Sequence, residues 1–296
     1  MNLKKPPART LDLKRTEVKL TASVNSNDKV KTALFKFTCC AGCQFALLYF
    51  FHQLPETLEL LDFVYFKMAM RKELEEPYEL AFVEGGVSTP EHIEQLKAIR
   101  SQAKVLVAFG ACAAHGGIPS IKNWQTERAV EENVYPDPLL VSSIKVSPID
   151  EFVKVDYHLR GCPIDEVEFM ELIRSVAADK SPYIRGHPVC VECKLRNNIC
   201  ILLMREGVQE GMCLGPVTRA GCRAVCTSNM RACFGCRGPM SNSNIPEMVR
   251  TFMGKGFSAK DIEMRFTEYA GLSAEFSEGA RAYYGRKTPY YHRKAA

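Results

Sequence analysis

The sequence KTALFKFTCCAGC, residues 31–43, joins a short strand pattern directly to closely spaced cysteines. Apolar and polar residues alternate over residues 31–37, which predicts a β-strand. Cys40 and Cys43 follow immediately, and Gly42 between them permits a tight turn. A strand that runs into a loop of glycine and cysteine is the unit that decides the predicted fold.

The same unit occurs at two later strands. KVLVAF at residues 104–109 runs into Cys112, and the strand predicted over residues 152–159 runs into Cys162, with a glycine close to each cysteine. Because the carboxyl ends of parallel strands gather along one edge of an open sheet, cysteines that are distant in sequence can meet there. We therefore expect one ligand group formed by Cys40, Cys43, Cys112 and Cys162.

Strand and helix patterns alternate over the first 180 residues, which predicts an α/β domain with a mainly parallel sheet. Thr89 is expected to cap one of the helices. Predicted strands cover residues 31–37, 62–66, 79–83, 104–109 and 152–159, and predicted helices cover 45–54, 90–100, 164–178, 244–254 and 258–271. Expected core positions of the helices are Ile93, Leu96, Ile99, Val167, Met170, Leu172 and Ile173, and Cys39 is expected to be a plain core residue.

Composition divides the chain into three parts. Residues 1–30 are polar and rich in lysine, which predicts a mobile arm. Proline and glycine between residues 181 and 188 mark a boundary. We expect an α/β domain over 31–182 and a smaller domain over 183–296 that has little regular structure apart from helices. The aromatic and basic end, YYGRKTPYYHRKAA, is interpreted as a surface tail or a docking segment.

Eight of the thirteen cysteines fall within residues 190–236, a stretch too short to fold on its own apolar core. Disulfides, zinc or iron–sulfur clusters could crosslink it. The N-terminus has no apolar leader, which indicates a cytoplasmic protein whose cysteines bind metal.

The spacing of these eight cysteines is irregular, whereas four-cysteine zinc sites usually show two close pairs. Cubane 4Fe–4S clusters take four thiolates from loops of varied length, and so the spacing favours them over zinc. In sequence order the two sets are Cys190, Cys193, Cys200 and Cys213, followed by Cys222, Cys226, Cys233 and Cys236.

Other function classes receive little support. The net charge of +5 is mild and the basic residues form no stripe with aromatics, which does not favour nucleic acid binding. The longest wholly apolar run, residues 45–51, is far shorter than the roughly 20 residues of a membrane-spanning helix. No acid–base site is evident, so no catalytic residue is assigned to the chain.

These motifs resemble those of the small subunit of nickel–iron hydrogenases. Residues 31–240 carry the resemblance, and the all-cysteine second part is most similar to the cytoplasmic, multimeric branch of NAD(P)-linked hydrogenases and sulfhydrogenases. The matching segments, in order, are CAGC at 40–43, EG at 84–85, GAC at 110–112 with GG at 116–117, GCP at 161–163, CLGPVTRAGC at 213–222 and CFGC at 233–236.

The resemblance implies a flavodoxin-like first domain and three 4Fe–4S clusters that relay electrons between a nickel–iron site on a large subunit and a flavin or iron–sulfur partner subunit. The chain alone would not turn over hydrogen. It also implies a name for each set of ligands: the proximal set is Cys40, Cys43, Cys112 and Cys162, the medial set is Cys222, Cys226, Cys233 and Cys236, and the distal set is Cys190, Cys193, Cys200 and Cys213.

Three further residues have an expected role. Some relatives use a histidine as a distal ligand, but four cysteines suffice here, so His187 is interpreted as spare. Glu84 is expected to support the proximal cluster or a proton path, and His115 is as consistent with a structural role as with a functional one. The alternatives are a zinc-stabilised interaction scaffold and a subunit of a related quinone-reductase complex.

Overall fold

The computed structural model describes residues 29–53, 55–71, 77–204, 211–277 and 279. All but the last two residues of the predicted N-terminal arm, and the whole of the aromatic and basic tail, lie outside this part of the chain.

Five parallel strands form one sheet in the order β2-β1-β3-β4-β5. This order is that of the flavodoxin-like doubly wound fold. The predicted α/β class with a parallel sheet is therefore confirmed. The strands are β1 (Val30–Lys36), β2 (Leu61–Phe66), β3 (Leu80–Glu84), β4 (Val105–Phe109) and β5 (Tyr157–Leu159).

Helices cover both faces of the sheet and continue beyond it. In chain order they are α1 (Gly42–Gln53), α2 (Glu56–Leu60), α3 (Pro90–Gln102), α4 (Ala111–His115), α5 (Glu127–Val134), α6 (Glu166–Ala177), α7 (Val189–Leu195), α8 (Val225–Ser228), α9 (Ile245–Gly254) and α10 (Ala259–Thr267). Short 3-10 helices cover Ile118–Trp124, Pro138–Leu140, Ile149–Glu151 and Ile201–Leu203. The predicted cap is present, since the Thr89 side chain accepts a hydrogen bond from the His92 amide at 3.3 Å.

Each face of the sheet has its own apolar core. One core packs α1 and α6 against the strands and centres on Phe82, Phe109 and Phe169. The other lies under α3, which buries Leu96 and Ile99 as expected, while Ile93 is only partly buried. Burial on both faces explains why the central strands β3 and β4 are almost wholly apolar.

Two predictions for this region were wrong. The strand predicted over residues 152–159 pairs only over Tyr157–Leu159. The Asp156 carboxylate accepts a hydrogen bond from the Leu106 amide at 2.8 Å, so a side chain, and not a backbone carbonyl, bonds to this donor of β4. The residues before Asp156 form a 3-10 helix and a loop. Val167 is 42% exposed in the first turn of α6, whereas Met170, Leu172 and Ile173 are buried as expected.

Residues 183–277 have few and short regular elements, as predicted. Their main apolar core is built by α9 and α10 with Leu214 and Val217. A smaller cluster packs Val189 and Ile201 against three buried cysteines of the 190–236 stretch. Much of the apolar core under the cysteine-rich stretch, residues 190–236, is therefore supplied by the helices that follow it.

Candidate iron–sulfur sites

The proximal set gathers at the carboxyl edge of the sheet, because each of its cysteines follows a strand. Backbone hydrogen bonds tie the loops together: the Gly110 amide donates to Leu159 O and the Ala111 amide to Gly161 O, both at 2.8 Å. The Cys43 sulfur lies against Gly110, where an added Cβ would come within 2.5 Å of it. The loops after β1, β4 and β5 therefore meet as the sequence predicted.

Burial differs within the proximal set. Cys43 is buried, Cys112 is half-buried, and Cys40 and Cys162 are exposed. Burial, followed by the nearby Cys162, raises the pKa of the Cys112 thiol to about 12. Burial and Glu84 raise the pKa of Cys43, to which Cys162 and Cys112 also contribute. Sulfurs that raise one another's pKa in this way lie close together, and positive iron would relieve the repulsion between their thiolates.

Glu84 ends β3 at the centre of this edge and is 2% exposed. Its carboxylate accepts the Cys43 amide at 3.0 Å and the Gln44 side-chain amide at 2.7 Å. A buried carboxylate thereby fixes the first turn of α1, which carries Cys43. Gln44 was not singled out from the sequence, where a glutamine beside a cysteine carries no signal.

Cys39 and His115 are neighbours of the proximal set. Cys39 is half-buried, whereas a core position was expected; its thiol donates to Phe37 O at 3.7 Å, and it lies close enough to raise the pKa of Cys112. His115 ends α4 and is buried against Gly238. Burial, followed by the charge of Arg160, lowers the pKa of His115 to about 3, which keeps the ring neutral.

The medial set lines one cavity of about 480 Å³. Cys222, Cys226, Cys233 and Cys236 all contribute to its wall, and so does Cys162 of the proximal set. Between the first two cysteines, Arg223 and Ala224 have positive φ angles of 55° and 51°, which are uncommon for residues with a side chain. Such strained backbone is often found at binding sites.

The distal set surrounds the N-terminal part of α7. Burial, and then Cys213, Cys193 and Cys200 in turn, raise the pKa of Cys190 to about 11, so all four predicted members lie near one another. Gly215 lies between two of them, because a Cβ there would be 3.4 Å from the Cys213 sulfur and 3.5 Å from the Cys190 sulfur. An open depression beside Cys190 is lined by Val191, Lys194 and Leu195.

The three sets adjoin one another in series. Burial raises the pKa of Cys236 to about 12, against a backbone hydrogen bond from Cys162 that lowers it, so the medial and proximal sets touch. The Cys233 amide donates to the Cys213 sulfur at 3.3 Å, so the medial and distal sets touch as well. His187 is half-buried, and its backbone carbonyl accepts the Ala220 amide at 2.9 Å.

These donor sets fit iron–sulfur clusters in two respects. Each consists of four thiols, the ligands of 4Fe–4S clusters. The four medial cysteines, moreover, line one cavity, although Cys233 also packs in the small apolar cluster. Within the described residues, no group of three or more His, Cys, Asp or Glu side chains is arranged as a site for a metal ion.

Several residues that join the two parts of the chain were not predicted. Arg237 and Glu168 form a buried ion pair beside Cys222 and Cys236, and the pocket of His115 is closed by Gly238. A charged residue directly after a ligand cysteine was a visible signal for Arg237. Nothing in the sequence pairs it with Glu168.

In the described part of the chain, none of the helices is both long and apolar enough to cross a membrane.

Comparisons with known proteins identify the family of the chain. A family model described as the 20 Kd subunit of NADH ubiquinone oxidoreductase matches residues 40–176. Sulfhydrogenase 2 subunit delta of Pyrococcus furiosus is 35% identical over 221 residues, which are 74% of this chain and 90% of that protein. A subunit of the F420-non-reducing hydrogenase of Methanocaldococcus jannaschii is 32% identical over 243 residues, 72% of this chain and 83% of that protein.

A solved structure shares the fold. The Ni-Fe-Se hydrogenase of Desulfomicrobium baculatum, in a reduced, active form, superposes with a TM-score of 0.54 at 17% identity, over 72% of this chain and 96% of that chain. The similarity to these relatives defines the chain as a subunit of a hydrogenase-type oxidoreductase. The chain belongs to the family of nickel–iron hydrogenase small subunits, as its motifs predicted.

Proposed function

We propose that this chain relays electrons between the nickel–iron site of a large subunit and a redox partner through three 4Fe–4S clusters. When bound, the clusters supply one-electron carriers. The proposal rests on one observation, which is that the three four-cysteine sets contact one another in series. Cys162 of the proximal set lines the same cavity as the medial cysteines, and the medial Cys233 bonds to the distal Cys213. The ligands would be those of the proximal, medial and distal sets, twelve cysteines in all.

The residues around the proximal set support a large-subunit partner. Cys40 and Cys162 are exposed at the sheet edge. Phe45 and Tyr49 of α1 are 62% and 59% exposed nearby, and Ile121, in the 3-10 helix that follows α4, is also exposed. Exposed apolar side chains around a functional edge are typical of a protein interface. A large subunit seated here would bury the proximal cysteines away from water and place them next to its own site.

The surface around the distal set has the features of a docking site for an electron-accepting subunit. Leu195, Ile199 and Leu203 are more than half exposed around the distal cysteines, and Lys194 lies in the adjoining depression. We propose that a flavin or iron–sulfur subunit docks on this end of the chain. The relatives belong to different enzymes, since one is a sulfhydrogenase subunit and another a subunit of an F420-non-reducing hydrogenase.

The positions of the three cysteine sets suggest which part of the chain holds which cluster. We propose that residues 31–182 form the proximal-cluster domain and 183–296 the domain of the other two clusters; the family model ends at residue 176, close to this boundary. A cytoplasmic location agrees with the use of cysteines as cluster ligands. The chain has no assigned catalytic residue, so hydrogen cleavage would require the large subunit.

A quinone-reductase subunit remains the second candidate, since the matching family model is described by such an enzyme. That model covers only the first part of the chain, and the eight cysteines of residues 190–236 have no counterpart within its range. The relatives that extend over more of the chain are hydrogenase subunits. We therefore favour the hydrogenase function.

Replacement of a distal cysteine tests the relay. In the anaerobic complex with its large subunit, Cys190→Ala should stop reduction of an external acceptor dye by hydrogen. Electron paramagnetic resonance should still show the proximal and medial clusters reduced under hydrogen. Cys39→Ala is the matched control and should leave dye reduction intact. Undiminished dye reduction by the Cys190→Ala complex, or clusters that hydrogen does not reduce in the wild type, would contradict the proposal.

A further inference from the structure

The side chain of Arg237 joins the two parts of the chain at the point where the proximal and medial sets meet. It follows Cys236 directly and is 2% exposed. Its Nε donates to Ala220 O at 2.8 Å and its Nη1 to Arg160 O at 2.6 Å. Its Nη2 forms an ion pair with the Glu168 carboxylate on α6. One planar guanidinium thus satisfies acceptors on both sides of the junction.

Two glycines make room for this ion pair. Gly161 has a φ of +129°, and a Cβ there would lie 3.3 Å from Arg237 Nη1. Gly221 has a φ of +120°, and a Cβ there would overlap both Arg237 Nη2 and Glu168 Oε1. Gly161 directly precedes a proximal cysteine and Gly221 directly precedes a medial one. The Arg237–Glu168 pair therefore lies between the ligand loops of two different clusters.

The charges of the pair act on the medial sulfurs. Arg237 lines the medial cavity together with Cys222 and Cys236, so its guanidinium lies beside medial sulfurs. Glu168 contacts the same guanidinium from α6. The guanidinium stays charged in a site that water does not reach, where charges interact more strongly than at the surface.

We propose that the buried Arg237–Glu168 pair sets the reduction potential of the medial cluster, which Arg237 raises and Glu168 lowers. Reduction adds one electron and hence one negative charge, which the guanidinium stabilises and the carboxylate opposes. This inference rests on the proposed function, because it requires a cluster in the medial set. Arg237 and Glu168 would be positioning residues, since neither supplies a ligand.

Opposite effects of two changes that each remove one charge distinguish this role from simple cohesion of the two parts. In the anaerobic complex, a redox titration followed by electron paramagnetic resonance would measure the potential of each cluster. Arg237→Gln should lower the medial potential and Glu168→Gln should raise it. Each shift should be roughly tenfold in the one-electron equilibrium, or about 59 mV. The double variant should return close to the wild-type value.

The distal cluster is the internal reference and should not shift. Arg250→Gln is the matched control, because its ion pair with Glu247 is on the surface of α9. Medial potentials that stay constant, or that move in the same direction in both variants with full iron content, would overturn the inference. Lack of iron and sulfide in the wild type would instead overturn the proposed function. If the Arg237→Gln complex fails to assemble, the Glu168→Gln variant alone tests the inference. A raised medial potential would support it, and an unchanged or lowered one would overturn it.

Discussion

Single glycines set how closely neighbouring loops, and the two parts of the chain, approach each other. Gly110 lies against the Cys43 sulfur, and Gly238 lies against the ring of His115. Both have positive φ angles, +89° and +71°, which residues with a side chain rarely adopt. At these two positions the lack of a side chain serves both the backbone conformation and the packing.

Gly238→Ala should lower the free energy of unfolding by about 2 to 4 kcal/mol, from the left-handed backbone and the overpacked ring. Chemical denaturation of the anaerobic protein measures this. Gly254→Ala is the control, because a Cβ there meets nothing within 4 Å and its φ is ordinary. That control should be neutral or more stable by up to about 1 kcal/mol. Equal stability of the two variants would show that the contact with His115 does not constrain the fold.

Under the proposed function, Cys226 would decide whether the medial cluster holds three irons or four. It lies on the wall of the medial cavity with the three other members of the set. Cys226→Ala should leave a three-iron cluster or an empty medial site, because a cubane needs four ligands. The reduced-state electron paramagnetic resonance spectrum and the iron content would both change.

Cys39→Ala is the matched change for this test. Its thiol already bonds to Phe37 O, and a fifth cysteine is not needed at the proximal site. Its cluster content should stay at the wild-type value. A spectrum unchanged by Cys226→Ala, or a proximal signal lost in Cys39→Ala, would show that the ligands are wrongly assigned.

At the scale of elements, the junction of β3 with α1 supports the proximal set. Glu84 at the end of β3 holds the amide of Cys43 and the side chain of Gln44 in the first turn of α1. Its charge also raises the pKa of Cys112 and Cys162. A negative charge that disfavours thiolates also disfavours a reduced cluster.

Glu84→Gln should therefore raise the proximal potential, by roughly tenfold in the one-electron equilibrium or about 59 mV. The glutamine can still accept the Cys43 amide, so iron content should be retained. Redox titration of the complex measures the shift. Glu79→Gln is the control, because Glu79 is exposed just before β3, away from the cluster edge. A proximal potential that falls or stays constant would contradict this electrostatic role.

Strands with a clear apolar pattern, and helices with a clear cap residue, were predictable from the sequence. The strands that lead to Cys43 and Cys112 have clear apolar patterns, and Thr89 marks the start of α3. The strand before Cys162 was predicted too long, because the apolar residues of 152–155 pack in the core on the α3 side outside the ladder with β4, which begins only at Tyr157 after the Asp156 amide bonds to Leu106 O. Periodicity reports burial, and it does not reveal where the Asp156 carboxylate replaces a backbone partner.

At the scale of the whole molecule, the convergence of the proximal set could be foreseen because topology alone brings strand ends together. The contacts between the two parts could not. Arg237 and Glu168 are 69 residues apart, and their pairing depends on how the second part docks onto α6. Likewise, the core under the cysteine-rich stretch comes from α9 and α10, whose apolar faces do not indicate what they cover.

Three four-iron clusters along this chain would give it a definite iron and sulfide content. Anaerobic purification followed by assays of iron, acid-labile sulfide and zinc measures that content most directly. We expect about twelve irons and about twelve sulfides per chain, four of each for a cubane, and no stoichiometric zinc. Zinc without sulfide, or only about four irons per chain, would contradict it.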